Sequence, residues 1–190
     1  MNDAARDWRS ILAEHRAVTD EMASCGEKLA QIVDALTACI RGGNTVYVIG
    51  NGGSAADAQH IAGELLGRFR LTRKALPAIA LTTDSSTITA ISNDLGYEQA
   101  FARQIEGVAR AGDVVWLLST SGNSPNVLAA ARAAAKNGAL VVGFTGRGGG
   151  ELAAHCDLVF HAPHTSSDRI QEAHQIAYHY ICEQVEAALA

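Results

Sequence analysis

Residues 45–69 read TVYVIGNGGSAADAQHIAGELLGRF, and the rest of the chain is organised around them. Residues 45–49 form a β-branched run with the pattern of a buried strand, 50–54 (Gly-Asn-Gly-Gly-Ser) a turn, and 55–69 a helix. Glycines let a backbone approach a ligand closely, Ser54 is expected to cap the helix, and the free amides and dipole of a helix N-terminus favour an anion. The stretch therefore predicts a phosphate site. His60 and Glu64 stand four residues apart and project from one helix face, about a turn beyond that end. The glycine spacing is neither G-x-G-x-x-G nor a P-loop, because Ser54 follows Gly53 and no Gly-Lys-Ser/Thr occurs, so a nucleotide is disfavoured. Taken alone, the turn would also suit any α/β protein, and a His-Glu pair at this spacing is most often a solvated ion pair.

Moving outward, strand and helix patterns alternate. Residues 78–81 read as a strand, 86–93 as a helix or turn, and 97–108 as a helix carrying Phe101, Ile105 and Val108. A second strand-turn-helix unit follows, with a strand at 113–118, a loop at 119–124 and an Ala-rich helix at 125–137. Pro125 suits the first helical position with Ser124 as its cap. A third unit runs from a strand at 140–144 through a glycine turn at 145–150 into 151–155, before a short strand at 158–160 and a long helix at 167–189. On the N-terminal side, Trp8, Ile11, Leu12, His15, Val18 and Met22, then Leu29, Ile32, Val33, Leu36 and Ile40, give two amphipathic helices ending at Gly42-Gly43. Their apolar stripes suit packing on the sheet or on another subunit, and the Trp-bearing stripe favours a subunit.

Repeated units of this kind imply a mostly parallel sheet with helices on both faces, a three-layer α/β/α sandwich preceded by N-terminal helices. One domain over 1–190 is expected, with 1–43 as packing helices and 44–190 as the sandwich. Ligands of open parallel sheets sit at the carboxyl ends of strands, where 50–54 and 119–124 both fall. Ser119, Thr120, Ser121 and Ser124 can each donate to a phosphate oxygen, although a Ser/Thr-rich turn before a capped helix would look the same.

Composition narrows the class further. Net charge is −5 with scattered basic residues, so no footprint for a nucleic-acid backbone is evident. The start MNDAARDWRS has no basic region leading into an apolar run, and no apolar stretch approaches the ~20 residues of a membrane span. A cytoplasmic location is the expectation. Cys25, Cys39, Cys156 and Cys182 include no C-x-x-C pair, and most of them are expected to be core thiols.

GNGGSAADAQHIAGE at 50–64, SNDLGYE at 92–98, STSGNS at 119–124, FTGRGGGELA at 144–153 and DRIQEAHQIAYH at 168–179 together resemble the phosphoheptose isomerase family of the sugar isomerase (SIS) domain superfamily. The similarity covers nearly the whole chain. STSGNS alone indicates only the SIS fold, whereas His60 with Glu64 and Gln171 with His179 point to the heptose isomerase branch. The resemblance implies one Zn2+ per subunit held by His60, Glu64, Gln171 and His179. It implies substrate contacts at Asn51, Gly52, Gly53, Asn93, Asp94, Ser119, Thr120, Ser121, Ser124 and Gln171, beside Ser54 from the turn itself. Glu64 and His179 would be the acid/base pair, in a homotetramer with active sites between subunits. The implied reaction converts D-sedoheptulose 7-phosphate to D-glycero-D-manno-heptose 7-phosphate, the entry to ADP-heptose for cell-surface polysaccharide.

The chemistry suits those residue types. A ketose-to-aldose conversion moves a proton from C1 to C2 through an enediol, so it needs a base and an acid, and Glu64 and His179 qualify. Two imidazoles and a carboxylate suit zinc, while Gln is a less usual ligand. Against this stand plainer readings. Gln171, Gln175 and His179 can be a polar stripe with His174 among them, Asn93-Asp94 a turn signal, Gly148-Gly149-Gly150 a helix start, and Tyr178 and Tyr180 interface or core residues. Two other functional classes also fit: a non-catalytic SIS regulator that binds a replication initiator, and a different sugar-phosphate enzyme such as a hexose-phosphate isomerase or sugar-acid etherase. Regulators of that kind lack the acid/base pair, which this chain has.

Overall fold

The computed structural model describes residues 7–190; residues 1–6, part of the N-terminal stretch read above for a leader, lie outside the described residues. Helices α1 (Trp8–Met22) and α2 (Gly26–Arg41) are followed by β1 (Val46–Gly50), α3 (Gly53–Leu66), β2 (Ala78–Ala80), α4 (Ser85–Leu95) and α5 (Ala102–Val108). Then come β3 (Val114–Leu118), α6 (Pro125–Lys136), β4 (Leu140–Thr145), β5 (Leu158–His161) and α7 (Ser167–Leu189). The five strands are all parallel in the order β2-β1-β3-β4-β5. The expected sandwich is therefore present, and its sheet is wholly parallel. No helix among the described residues is long and apolar enough to cross a membrane.

Alternation along the strands separates two cores, as a period of two requires. Val46 and Val48 of β1, Val114, Trp116 and Leu118 of β3, Val142 and Phe144 of β4 and Phe160 of β5 join residues of α2, α3 and α7. Tyr47, Ile49, Val115, Leu117 and Val141 face the other way, toward α5 and α6. All five residues of β1 and of β3 are buried, which is why those runs are continuously apolar. The chain moves outward from β1 to β2, then returns to place β3 on the other side of β1. This reversal leaves a crevice at the carboxyl ends of β1 and β3.

Three local expectations are corrected. Helix α3 begins at Gly53 and not at residue 55, so Ser54 lies inside its first turn; the cap is Gly52, at φ 55°, and it makes no side-chain capping bond. The same helix stops at Leu66 because the next amides are taken elsewhere: Phe69, Arg70 and Leu71 donate to the buried Glu186 carboxylate of α7 at 2.9, 2.7 and 2.9 Å. Arg73 reinforces that stop by donating to the terminal carbonyls of Glu64 and Leu65 at 2.9 and 2.8 Å. The segment 97–108 is a 3-10 turn at Tyr97–Gln99 and then α5, a break that buries Ala100 and Phe101. The four cysteines are free thiols, of which Cys39 and Cys182 are buried as expected and Cys25 and Cys156 only half-buried; burial raises Cys39 to about 11 and Cys156 and Cys182 to about 12, which disfavours the thiolate of those three.

Candidate active site

The glycine turn after β1 is fixed by its own backbone and by its neighbours. The Ser54 amide donates to the Asn51 carbonyl at 2.9 Å, and Ser54 itself is buried. Asn51 and Asn126 exchange side-chain hydrogen bonds at 2.9 Å in both directions, and the Tyr97 hydroxyl donates to Asn51 Oδ1 at 2.8 Å. Asn51 is thus a strut between the β1 turn and α6. A Cβ on Gly53 would lie 2.6 Å from Gln171 Nε2, so the Gln171 amide rests directly against the first residue of α3. This contact joins the predicted phosphate turn to α7.

The hydroxyl loop at 119–124 lies beside it at the end of β3. Ser119 Oγ and Ser124 Oγ are 3.1 Å apart, and Thr120 Oγ1 meets Ser167 Oγ at 3.3 Å. Ser124 occupies the cap position before Pro125 as expected, but its hydroxyl turns to Ser119 and makes no capping bond. The glycine turn at 146–150 braces this loop. The Gly146 amide donates to the Thr120 carbonyl at 3.1 Å, Leu152 to Gly122 at 2.9 Å, and a Cβ on Gly122 would fall 2.0 Å from the Gly149 carbonyl oxygen. Gly122 also sits at φ 66°, so only glycine fits both the conformation and the gap. Thr120, Ser121, Gly146, Arg147 and His164 contribute to a cavity of about 180 Å³ alongside.

The ionisable residues converge on the facing surfaces of α3 and α7. His60 Nε2 lies 3.0 Å from Glu64 Oε1 and 3.4 Å from His179 Nε2, and one donor atom from each of the three falls within 4.8 Å of the others. Two imidazole nitrogens facing each other at 3.4 Å can share at most one proton, and a tetrahedral zinc sets its nitrogen ligands about 3.3 Å apart. The donor set therefore fits a divalent cation. Burial, then the neighbouring His60, lowers the His179 pKa against the opposing pull of Glu64, which favours the neutral ligand form.

Two residues stand behind this group: Tyr178, expected as an interface or core residue, and Asp57, for which the sequence raised no expectation. Tyr178 is fully buried, and its hydroxyl lies 2.9 Å from His60 Nδ1 and 3.4 Å from Asp57 Oδ1. Burial, reinforced by the Asp57 charge, raises the Tyr178 pKa, and burial raises that of Asp57. The signal available in the sequence was spacing: Asp57 is one turn before His60, and Tyr178 is adjacent to His179. His174 is not part of a polar stripe. It is buried among Phe144 and Phe160 with Nε2 3.1 Å from the Thr145 carbonyl, and burial holds its pKa down to about 4. Asn93 and Asp94 are exposed in the last turn of α4 and bonded to each other at 2.8 Å; no hydrogen bond among the described residues links them to the other candidates.

Comparison with known proteins gives the family. The SIS domain family model matches residues 12–146. A phosphoheptose isomerase of Desulfovibrio desulfuricans is 47% identical over 185 residues, spanning 96% of this chain and 88% of that protein. The chain belongs to the phosphoheptose isomerase family. A family member from a Bradyrhizobium species (strain BTAi1) is also 47% identical, over all of this chain and 98% of its own length. Solved phosphoheptose isomerase structures superpose closely: that from Neisseria gonorrhoeae at TM-score 0.89 and 38% identity, that from Francisella tularensis at 0.91 and 34%, each spanning 94% of this chain and 96% of its own.

Proposed function

We propose that the chain converts D-sedoheptulose 7-phosphate to D-glycero-D-manno-heptose 7-phosphate through an enediol, as the entry to ADP-heptose synthesis. The observation that carries this reading is the meeting of His60, Glu64 and His179 beside two loops suited to a phosphate. The Gly52 and Gly53 amides and the hydroxyls of Ser119, Thr120, Ser121 and Ser124 bind the phosphate end, while Asn51 keeps the first loop in place. Gln171, resting on Gly53, holds the substrate hydroxyls over the turn. Glu64 removes the C1 proton and returns it to C2, while His179, kept neutral, relays the hydroxyl proton from one oxygen to the other, so both residues end as they began.

His60, Glu64, His179 and, by the family likeness, Gln171 would hold a zinc ion, one per subunit. Bound there, zinc supplies Lewis-acid polarisation of the carbonyl and charge stabilisation for the enediolate. With two carboxylate oxygens, Glu64 would be able both to help hold the ion and to take the proton. The SIS domain spans 1–190 and works as a cytoplasmic homotetramer with active sites between subunits. Exposed Trp8 on α1 and the apolar groove of about 350 Å³ between Met22, Leu29, Ile176 and Tyr180 support subunit packing, and the exposure of Asn93 and Asp94 supports a site completed across it. The test is an NMR assay of sedoheptulose 7-phosphate with chelator-treated protein, with and without added zinc. Aldoheptose 7-phosphate appearing only with zinc is the expected result. Turnover that survives chelation would remove the ion from the mechanism, and no turnover from folded protein would overturn the reading in favour of a binding role.

A further inference from the structure

We propose that Tyr178 is a positioning residue that, with Asp57 as its terminal acceptor, holds His60 with its proton on Nδ1 and its Nε2 lone pair aimed at Glu64 and His179. The inference rests on the metal reading above and deepens it. A phenol has one proton to give, and two acceptors face Tyr178, His60 Nδ1 at 2.9 Å and Asp57 Oδ1 at 3.4 Å, while the Gln175 side chain donates to the phenol oxygen. If that proton goes to Nδ1, His60 must carry its own on Nε2, between Glu64 and His179, where a cation would sit. If it goes to Asp57, Nδ1–H donates to the phenol oxygen and Nε2 is left bare.

Asp57 favours the second arrangement. It is an acceptor on the same helix as His60, and its Oδ2 is buried with no hydrogen-bond partner, so this carboxylate has acceptor capacity that only nearby donors can satisfy. The phenol has no freedom to turn away. Its ring is fully buried on α7 and meets the His60 and His179 rings edge-on at 5.4 and 4.8 Å. Chains of the form carboxylate, hydrogen-bond relay, imidazole are the usual way a metal-binding histidine is oriented, and their loss weakens metal binding about 10–100-fold. The plainer account is that a buried phenol merely finds acceptors for its hydroxyl. That account predicts a change in folding and none in zinc affinity.

The two accounts separate by zinc titration of chelator-stripped protein in competition with a chromophoric chelator, alongside thermal melting of the stripped samples. The natural chain is expected to bind one zinc, and Tyr178→Phe to bind it about 10–100-fold more weakly with little change in the metal-free melting temperature. Equal affinity in Tyr178→Phe would overturn the positioning role alone, whereas no binding by the natural chain would overturn the metal reading and this inference together. Should Tyr178→Phe fail to fold, Asp57→Ala, which removes the acceptor, decides: weakened binding supports the relay and unchanged binding refutes it. Long-range 1H–15N spectra of the zinc-loaded natural chain should show His60 protonated at Nδ1, and coordination through Nδ1 would refute the assignment.

Discussion

Gly53→Ala offers a sharp test of how the glycine turn and α7 cooperate. The added Cβ would stand 2.6 Å from Gln171 Nε2 and 2.8 Å from its Cδ, so the amide must withdraw by about 0.8 Å to reach ordinary contact distance. The obstacle is the end of a flexible side chain, so Gln171 moves and the backbone stays. Helix α3 accommodates alanine at this position, where replacing glycine favours folding by about 0.4–1 kcal/mol. Stability and activity should therefore diverge. A misplacement near 1 Å at a substrate-orienting group costs about 100-fold in rate, or about 2.7 kcal/mol of transition-state stabilisation. Steady-state kinetics on sedoheptulose 7-phosphate should show kcat/KM reduced by about that factor, with a melting temperature equal to or slightly above that of the natural chain. If the loss acts through Gln171, adding Gln171→Ala to Gly53→Ala should cost little more than Gln171→Ala alone. Full activity in Gly53→Ala, or two losses that simply add, would refute the coupling.

Other outcomes follow from the same geometry. Glu64→Gln should leave the chain folded and reduce turnover by at least about 100-fold, the size of a lost general base, measured by single-time-point NMR. Glu186→Ala should destabilise the fold by about 3–5 kcal/mol in urea melts, because three amides and Arg73, 3.2 Å away, lose a buried carboxylate. Burial raises the Glu186 pKa, but the three amides and Arg73 outweigh it and the net shift is downward. Its contribution is thus complete above the ordinary value of 4.5 and lost as pH falls through the lowered folded pKa, so the natural chain and Glu186→Ala should converge in acid. His174 is lowered from 6.5 to about 4, so the unfolded chain binds the extra proton first. Stability should fall as pH drops from 6.5 to about 4, by up to about 3 kcal/mol, and His174→Gln should flatten that slope in pH-dependent melts.

The fold was legible because its signals are local. The apolar runs of β1 and β3 are buried on both faces, and each is followed by a turn whose glycines, hydroxyls and Pro125 announce the next helix. His60 and Glu64 were legible for the same reason, since four residues on one helix fix a shared face. What escaped depends on tertiary partners. Glu186 looks like any surface acid on a long helix, yet it ends α3 from 117 positions away in sequence. His174 sits in a helix rich in polar residues, and only the position of α7 on the sheet shows that it faces Phe144 and Phe160. Ser54 was misread because a serine after two glycines looks like a cap, whereas Gly52 alone tolerates the left-handed backbone needed there. Tyr178 had no chemical signature until His60 was seen against it.

The His60 to His179 contact spans 119 positions of sequence. During synthesis the glycine turn and the His60-Glu64 pair emerge while α7 has yet to be made. The nascent chain therefore carries His60 and Glu64 without the third member of their cluster. Translation itself sets the moment at which the cluster can close: the same helix that completes the core with His174 and Tyr178 also brings His179 to His60.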